Sequence, residues 1–445
     1  MLAEEGRRHF GVLPFTGTGH LNPMFALCGE LKERGHRITF FEKPKIERRV
    51  RDCGFDFVPM GSNRNVIKQA RKAPAGPAFW SDLLALRFNL RRVMQDLEMY
   101  LEESPSAIRE TDVDALIISE IALTGPTVAE TLGLPYVLVS TSVPHHHGWG
   151  FHPWRPGYKL SSSWVSHLES AWLGVSILQM RGPIRIAMDA YRRKMGLGSL
   201  KQLESEFPPV AHITQLPECL DPFRRWVQDG VHYTGPWIEE SARPAVDFPW
   251  SRLDGRPMIY TSLGTTRNVQ PAIFRMIAEA CQDFDIQLVI SLGARFAPET
   301  LGELPGDPIV VRYAPQLALL ERSKLVITHA GPNTSFEALM AGKPMVAIPL
   351  AHDQPAIAAR LARLRAAEVL PVMRLSTRSL RVAVAKVLGD ASYQKAAAKL
   401  QTNLQAIHGT ELAANAIEEA LGRNAGTYAP RISSLRDAIA SSMEQ

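Results

Sequence analysis

His329, Asn333, Thr334 and Glu337 fall within nine residues of one another, a density of acceptors and donors that a packed core has no use for. They belong to a longer stretch, Tyr313 to Gln354, reading YAPQLALLERSKLVITHAGPNTSFEALMAGKPMVAIPLAHDQ. Its strand-like run LVIT (Leu325 to Thr328) ends in His329. The turn Ala330-Gly331-Pro332-Asn333-Thr334 follows, and the helix-like run SFEALMAG stops at Gly342. A strand feeding a glycine turn and a helix start presents unpaired N–H groups and a partial positive charge, the arrangement with which α/β proteins hold phosphate. A His, an Asn and the hydroxyls of Thr334 and Ser335 at that end suit a diphosphate, which points to a nucleotide.

The neighbouring residues extend the pattern. Glu337 lies one turn into the helix, where a carboxylate can accept two hydrogen bonds from a ribose diol; Thr334-Ser335-Phe336-Glu337 also fits a capping box. Asp353-Gln354 follow the strand-like MVAIPLA, at the carboxyl end where open α/β sheets bind ligands. They can bracket sugar hydroxyls or start the helix PAIAARLARL. Tyr313, after IVVR, can stack on a flat base or edge a core. Taken together and in this order, base, ribose, diphosphate and sugar, these residues read as a nucleotide-sugar site. A second reactive group, His20, follows Gly17-Thr18-Gly19 at a strand-to-helix turn. An imidazole with an ordinary pKa near 6.5 suits proton abstraction around neutrality; a histidine beside a helix start is the plainer alternative.

Elements that could position these groups alternate along the chain. HFGVLPF, RITFFE, FDFVPM, DALIIS and PYVLVS read as strands, separated by helices from about Asn22 to Arg34 and over GPTVAETLG. MIYTSLGT, IQLVISLG, IVVRYAP, LVITHAG and MVAIPLA repeat the rhythm after residue 257. Such alternation predicts parallel sheets with helices on both faces. The expected architecture is α/β: two doubly wound, Rossmann-like domains, residues 1–230 and 231–425, facing across a cleft, with a tail helix at 426–445 crossing back onto the first. Residues 215–256, rich in Pro and Trp, read as a linker. Residues 79–103 place Phe79, Leu83, Leu86, Leu90, Val93, Leu97 and Leu101 on one helical side, against a sheet or, more sharply, against a membrane surface that collects lipophilic molecules.

Composition sets the bounds. At 445 residues the chain exceeds one ordinary core. A net charge of +5 with no long Lys/Arg block gives no footprint for nucleic acid. Four scattered cysteines without a Cys-x-x-Cys pair fit reduced thiols, and the expected location is cytoplasmic, with peripheral membrane contact left open. No apolar run approaches the ~20 residues of a membrane span.

The Tyr313–Gln354 block resembles the signature of the GT-B UDP-glycosyltransferase family. That signature runs Trp or Tyr-x-Pro-Gln, His-x-Gly-x-Asn-Ser or Thr-x-x-Glu, Gly-x-Pro and a terminal Asp-Gln. Tyr313, Pro315, Gln316, His329, Gly331, Asn333, Thr334, Glu337, Gly342, Pro344, Asp353 and Gln354 match it. The likeness extends to GTGHLNP at Gly17 and SLGT at Ser262, spans most of the chain, and is closest in motif form to bacterial carotenoid (zeaxanthin) glucosyltransferases. It implies that Tyr313 stacks on uracil, with the backbone of Ala314 and Gln316 reading base or ribose. Glu337 would bind the ribose; Ser262, His329, Gly331, Asn333 and Thr334 the diphosphate; Asp353 and Gln354 the sugar. It implies His20 as the base of an inverting transfer from a UDP-sugar, UDP-glucose by preference, to a hydroxyl of a lipophilic acceptor such as a carotenoid, sterol, polyketide or phenol. No metal and no further cofactor are implied. The family pairs the histidine with an Asp where this chain has Ser119, next to Glu120. Either Glu120 reaches round to orient His20, or Ser119 leaves it without an anionic partner, and a non-catalytic nucleotide-sugar-binding protein follows as an alternative.

Other signals carry less. Gly17-Thr18-Gly19 with Glu42 imitates a dinucleotide fingerprint, but Asn22 stands where the third glycine belongs. Asp112-Val113-Asp114 and Asp283-Phe284-Asp285 precede strands, the wrong end for a metal-held diphosphate. His145-His146-His147, among Trp149, Phe151 and Trp154, reads better as an acceptor-pocket wall than as a metal site.

Overall fold

A computed structural model describes residues 6–61, 78–144, 182–200, 207–222, 231–264, 271–293, 297–350 and 353–423, with backbone alone over 78–89. The first sheet contains β1 (His9–Leu13), β2 (Arg37–Glu42), β3 (Asp56–Pro59), β4 (Ala115–Ser119), β5 (Tyr136–Ser140), β6 (Ala211–Thr214) and β7 (Val231–Tyr233), in the order β3-β2-β1-β4-β5-β6-β7. The second contains β8 (Met258–Ser262), β9 (Gln287–Ser291), β10 (Ile309–Val311), β11 (Ser323–Thr328), β12 (Met345–Ala347) and β13 (Ala367–Val369), in the order β10-β9-β8-β11-β12-β13. Every pairing is parallel, with Val12 opposite Ile117 and Thr328 opposite Ser262. Unbroken apolar strands such as Ala115–Ser119, buried at every position, are what a sheet covered on both faces requires.

Helices cover both faces of each sheet. On the first, Phe10, Val12 and Ile117 pack with Leu21, Phe25 and Leu31 of the Thr18–Glu33 helix. The alternate residues Leu13, Leu116 and Ile118 pack with Leu97, Leu101 and Ile108 of the Ala78–Arg109 helix. Val93, Leu97 and Leu101 of the expected apolar stripe are therefore sheet-facing; the side chains from Phe79 to Leu86 lie outside the described residues, as do His145-His146-His147 and the 426–445 tail. Among the described residues no helix is long and apolar enough to cross a membrane.

Two details differ from the reading of the sequence. The Pro- and Trp-rich stretch contains β7, three residues at the sheet edge, too short to show a period. The crossing back begins before residue 425. A helix over 409–423 buries Ala413, Ala414, Ile417 and Leu421 against Phe10, Phe25 and Trp237. Glu418 of that helix meets Arg34 at 2.8 Å and His36 at 2.9 Å. Asp114 receives the His9 N–H at 2.6 Å and Asp283 meets Arg381 at 3.0 Å, so one aspartate of each Asp-x-Asp works at the amino end of its sheet.

The order of strand addition in each sheet reverses once, between β1 and β4 and between β8 and β11. Ligands of open α/β sheets sit beyond the carboxyl ends of the strands flanking such a point. The residues following those four strands are the Gly17–His20 turn, Glu120, Leu263-Gly264 and His329.

Candidate functional site

The second domain supplies a helix end. Gly331 precedes the Pro332–Met340 helix with extended backbone and without a side-chain cap. Ala330 turns the chain through a left-handed conformation, φ 61°. His329 is wedged between two glycines. A Cβ on Gly331 would lie 2.5 Å from its Nε2, and one on Gly264 2.6 Å from the same atom. Both positions therefore need glycine for the imidazole to fit, and Gly264 needs it twice over, with φ at +83°. Burial pulls the His329 pKa down to about 4, against the opposing pull of the Asp353 carboxylate and the Ser262 backbone. The ring is thus neutral at neutral pH, and its buried Nδ1 has no hydrogen-bond partner among the described residues. A neutral imidazole and a helix N-terminus together make a polar, dipolar cradle for an anion.

Glu337, 3% exposed, faces the same side of the helix. Its carboxylate receives Gln316 Nε2 at 2.6 Å and a two-pronged ion pair from Arg243, Nη2 at 2.7 Å and Nη1 at 3.3 Å. Gln316 is itself fixed by the Tyr260 hydroxyl at 3.0 Å and reaches Thr334 Oγ1 at 3.4 Å. Tyr313 follows β10 with 44% of its surface exposed, and Ala314 packs at the edge of the core beneath it. The structure thus gathers Gln316, Thr334 and Glu337 into one bonded group. Sequence reading missed Arg243, which lies in the irregular segment before β8 with no local pattern to mark it.

Asp353 starts the Gln354–Arg363 helix, but its side chain does not cap it. The carboxylate accepts instead from the Ser142 hydroxyl of the first domain. Gln354, 4% exposed, uses Oε1 to receive the Leu350 N–H at 2.8 Å, which fixes the turn after β12.

The first domain supplies His20, in the opening turn of the Thr18–Glu33 helix. Its Nδ1 lies 2.5 Å from Thr141 Oγ1, and its ring meets Phe15 edge-on with centroids 5.0 Å apart. Glu120 turns its carboxylate toward the Ser140 hydroxyl and His212, whose Nε2 is 3.6 Å away. His212 Nε2 and Ser140 Oγ are 2.7 Å apart. Ser119, the last residue of β4, is buried. Thr141 was not singled out in the sequence, although it follows β5 at its carboxyl end, where the strand-end rule would have marked it.

The two halves touch. Asn333 Nδ2 donates to the Gly19 carbonyl at 2.6 Å, and Asn333 Oδ1 accepts from Gln215 Nε2 at 2.9 Å. These bonds join the start of the Pro332–Met340 helix to the peptide preceding His20 and to Gln215.

Comparison with known proteins finds glycosyltransferase family domains in both halves of the chain. Residues 12–145 match the family described as "Glycosyltransferase family 28 N-terminal domain", and residues 254–410 match "UDP-glucoronosyl and UDP-glucosyl transferase". The chain is 29% identical over 431 residues to a zeaxanthin glucosyltransferase of Pantoea ananas, covering 93% of this chain and 96% of that one. It is 26% identical over 422 residues to the NDP-glycosyltransferase YjiC of Bacillus subtilis (strain 168), covering 94% and 98%. Among solved structures, the glycotransferase of kitacinnamycin superposes with a TM-score of 0.72 at 24% identity, covering 93% of this chain and 99% of that one.

Proposed function

We propose that this chain, a glycosyltransferase of the GT-B fold carrying one matched glycosyltransferase domain in each half, moves a hexose from a UDP-sugar to a hydroxyl of a lipophilic small molecule. The observation that carries this reading is the contact of Asn333, at the start of the Pro332–Met340 helix, with the peptide preceding His20. It supports the reading of this helix end as the diphosphate site and of His20 as the general base beside it. Glucose is the donor sugar of first choice, through Asp353-Gln354, and the full-length likeness to a zeaxanthin glucosyltransferase favours apolar alcohols as acceptors.

The chemistry follows from the residues. When His20 Nδ1–H donates to Thr141 Oγ1, Nε2 carries the lone pair and takes the proton of the acceptor hydroxyl. The oxygen attacks the anomeric carbon from the face opposite the diphosphate, and the single displacement inverts that centre. The first-turn N–H groups of the Pro332–Met340 helix, with Asn333 and Thr334, stabilise the departing diphosphate without a proton transfer. Glu337, held by Arg243 and Gln316, presents its carboxylate as an acceptor to the ribose. Thr141 is a neutral orienting partner of His20, and Glu120 holds Ser140 and His212 nearby at the ends of neighbouring strands.

The test is turnover of UDP-glucose against a panel of apolar alcohols, carotenols and phenols, with UDP and NAD binding measured alongside. The expected result is UDP release with a glucoside formed on at least one acceptor. UDP bound with no product from any acceptor would indicate a non-catalytic binder, and NAD bound in place of UDP would indicate nicotinamide chemistry.

A further inference from the structure

We infer that Gln215 is a positioning residue that sets the candidate base of one domain and the anion cradle of the other with a single side-chain amide. Gln215 follows β6 and is 2% exposed. Its Nε2 donates twice, to the Thr141 carbonyl at 2.5 Å and to Asn333 Oδ1 at 2.9 Å. Its Oε1 accepts the Trp237 N–H at 3.4 Å. Both amide hydrogens and an acceptor site are thus committed, so the group has one orientation.

The bonds close a ring. From Gln215 one arm runs to the Thr141 peptide, whose own hydroxyl holds His20 Nδ1 at 2.5 Å. The other arm runs to Asn333, whose Nδ2 donates at 2.6 Å to the carbonyl of Gly19, the residue before His20. The imidazole is therefore fixed from its ring side by Thr141 and from its backbone side by Asn333, and Gln215 fixes both of those. Gln215 is the buried member of this ring, and it has few alternative arrangements, because breaking its bonds leaves a desolvated amide donor unmatched. Asn333 keeps a second Nδ2 hydrogen and its backbone N–H for a bound anion. Gln215 therefore holds Asn333 in the orientation in which the diphosphate meets it, and holds His20 at the matching distance.

The inference rests on the proposed roles of His20 and Asn333, and its test separates the two. Gln215→Met keeps the length and removes every hydrogen bond; Gln215→Glu keeps an acceptor for Trp237 but cannot donate, and decides the matter if the Met variant does not fold. Both are compared with Asn333→Ala and with the double variants, using kcat, acceptor KM and, independently of turnover, UDP affinity by calorimetry. The expected result is a kcat lower by about tenfold or more at an unchanged acceptor KM, with UDP affinity about threefold to tenfold weaker. In the Asn333→Ala background, Gln215→Met should cost less than about twofold further in UDP affinity, since the shared bond is already gone. Losses that multiply independently, or a folded Gln215 variant with wild-type kcat and UDP affinity, would overturn the inference. A wild-type protein that binds UDP yet glycosylates nothing would sink the assignment of His20 while the calorimetric cycle still decides whether Gln215 sets Asn333.

Discussion

Glu337 shows how far a single residue can be read. Its carboxylate was identifiable as a polar-site group from its place after the His329–Thr334 turn, but nothing in the sequence indicated the counter-charge. Arg243 supplies it, at 2.7 Å, with only 18% of its own side chain exposed. Removing one member of such a pair leaves a buried charge uncompensated, which costs more than the pair itself contributes. Arg243→Met should therefore destabilise the fold by about 2–4 kcal/mol, measured by chemical denaturation. Arg243→Met combined with Glu337→Gln should recover part of that loss, while UDP affinity stays at least about tenfold reduced, because a neutral amide is a poorer acceptor for a diol than a carboxylate. If the double variant is as unstable as the sum of the singles, the two groups are not an energetic pair.

At the scale of the element, the strand-turn-helix unit from Ser323 to Met340 depends on the space that Gly331 leaves. Gly331 has an ordinary negative φ of −65°, so an alanine there meets no backbone strain. The obstacle is steric alone: the added methyl would sit 2.5 Å from His329 Nε2, inside a fully packed turn. Gly331→Ala should push the imidazole aside, lowering stability by about 1–3 kcal/mol and UDP affinity by about tenfold or more. A variant with native melting temperature and native UDP binding would show that the wedged position of His329 is irrelevant to the anion. The type and order of this unit were legible, because a continuous apolar run, a glycine turn and a helical run have distinct periods. The wedging of His329 by Gly264 was not, since Gly264 follows a different strand and lies 65 residues earlier in the chain.

At the scale of the molecule, the last described helix belongs by sequence to the second half and by packing to the first. Ile417 is fully buried in the cluster that holds Phe10, Phe25 and Trp237. Ile417→Ala should cost about 2–4 kcal/mol, and the loss should register in the first sheet. Hydrogen exchange of β1 should accelerate while β11 keeps its protection. Equal acceleration of both strands would mean that the two sheets unfold as one unit and that the crossing helix is not a local staple of the first.

The sequence by itself determined that the chain alternates strands and helices twice, that each half ends its central strands in polar turns, and that one of those turns gathers a His, an Asn and two hydroxyls at a helix start. Those features are local: periodicity, glycine placement and the polarity of a helix start are written in consecutive residues. Only the tertiary structure decided which groups meet. Thr141 as the neighbour of His20, Glu120 beside Ser140 and His212, Arg243 on Glu337, and Gln215 between Asn333 and Thr141 all join residues far apart in the chain. Such pairings depend on strand order and on how one sheet faces the other, and a hydrogen bond that forms across a domain boundary leaves no period in the sequence of either partner.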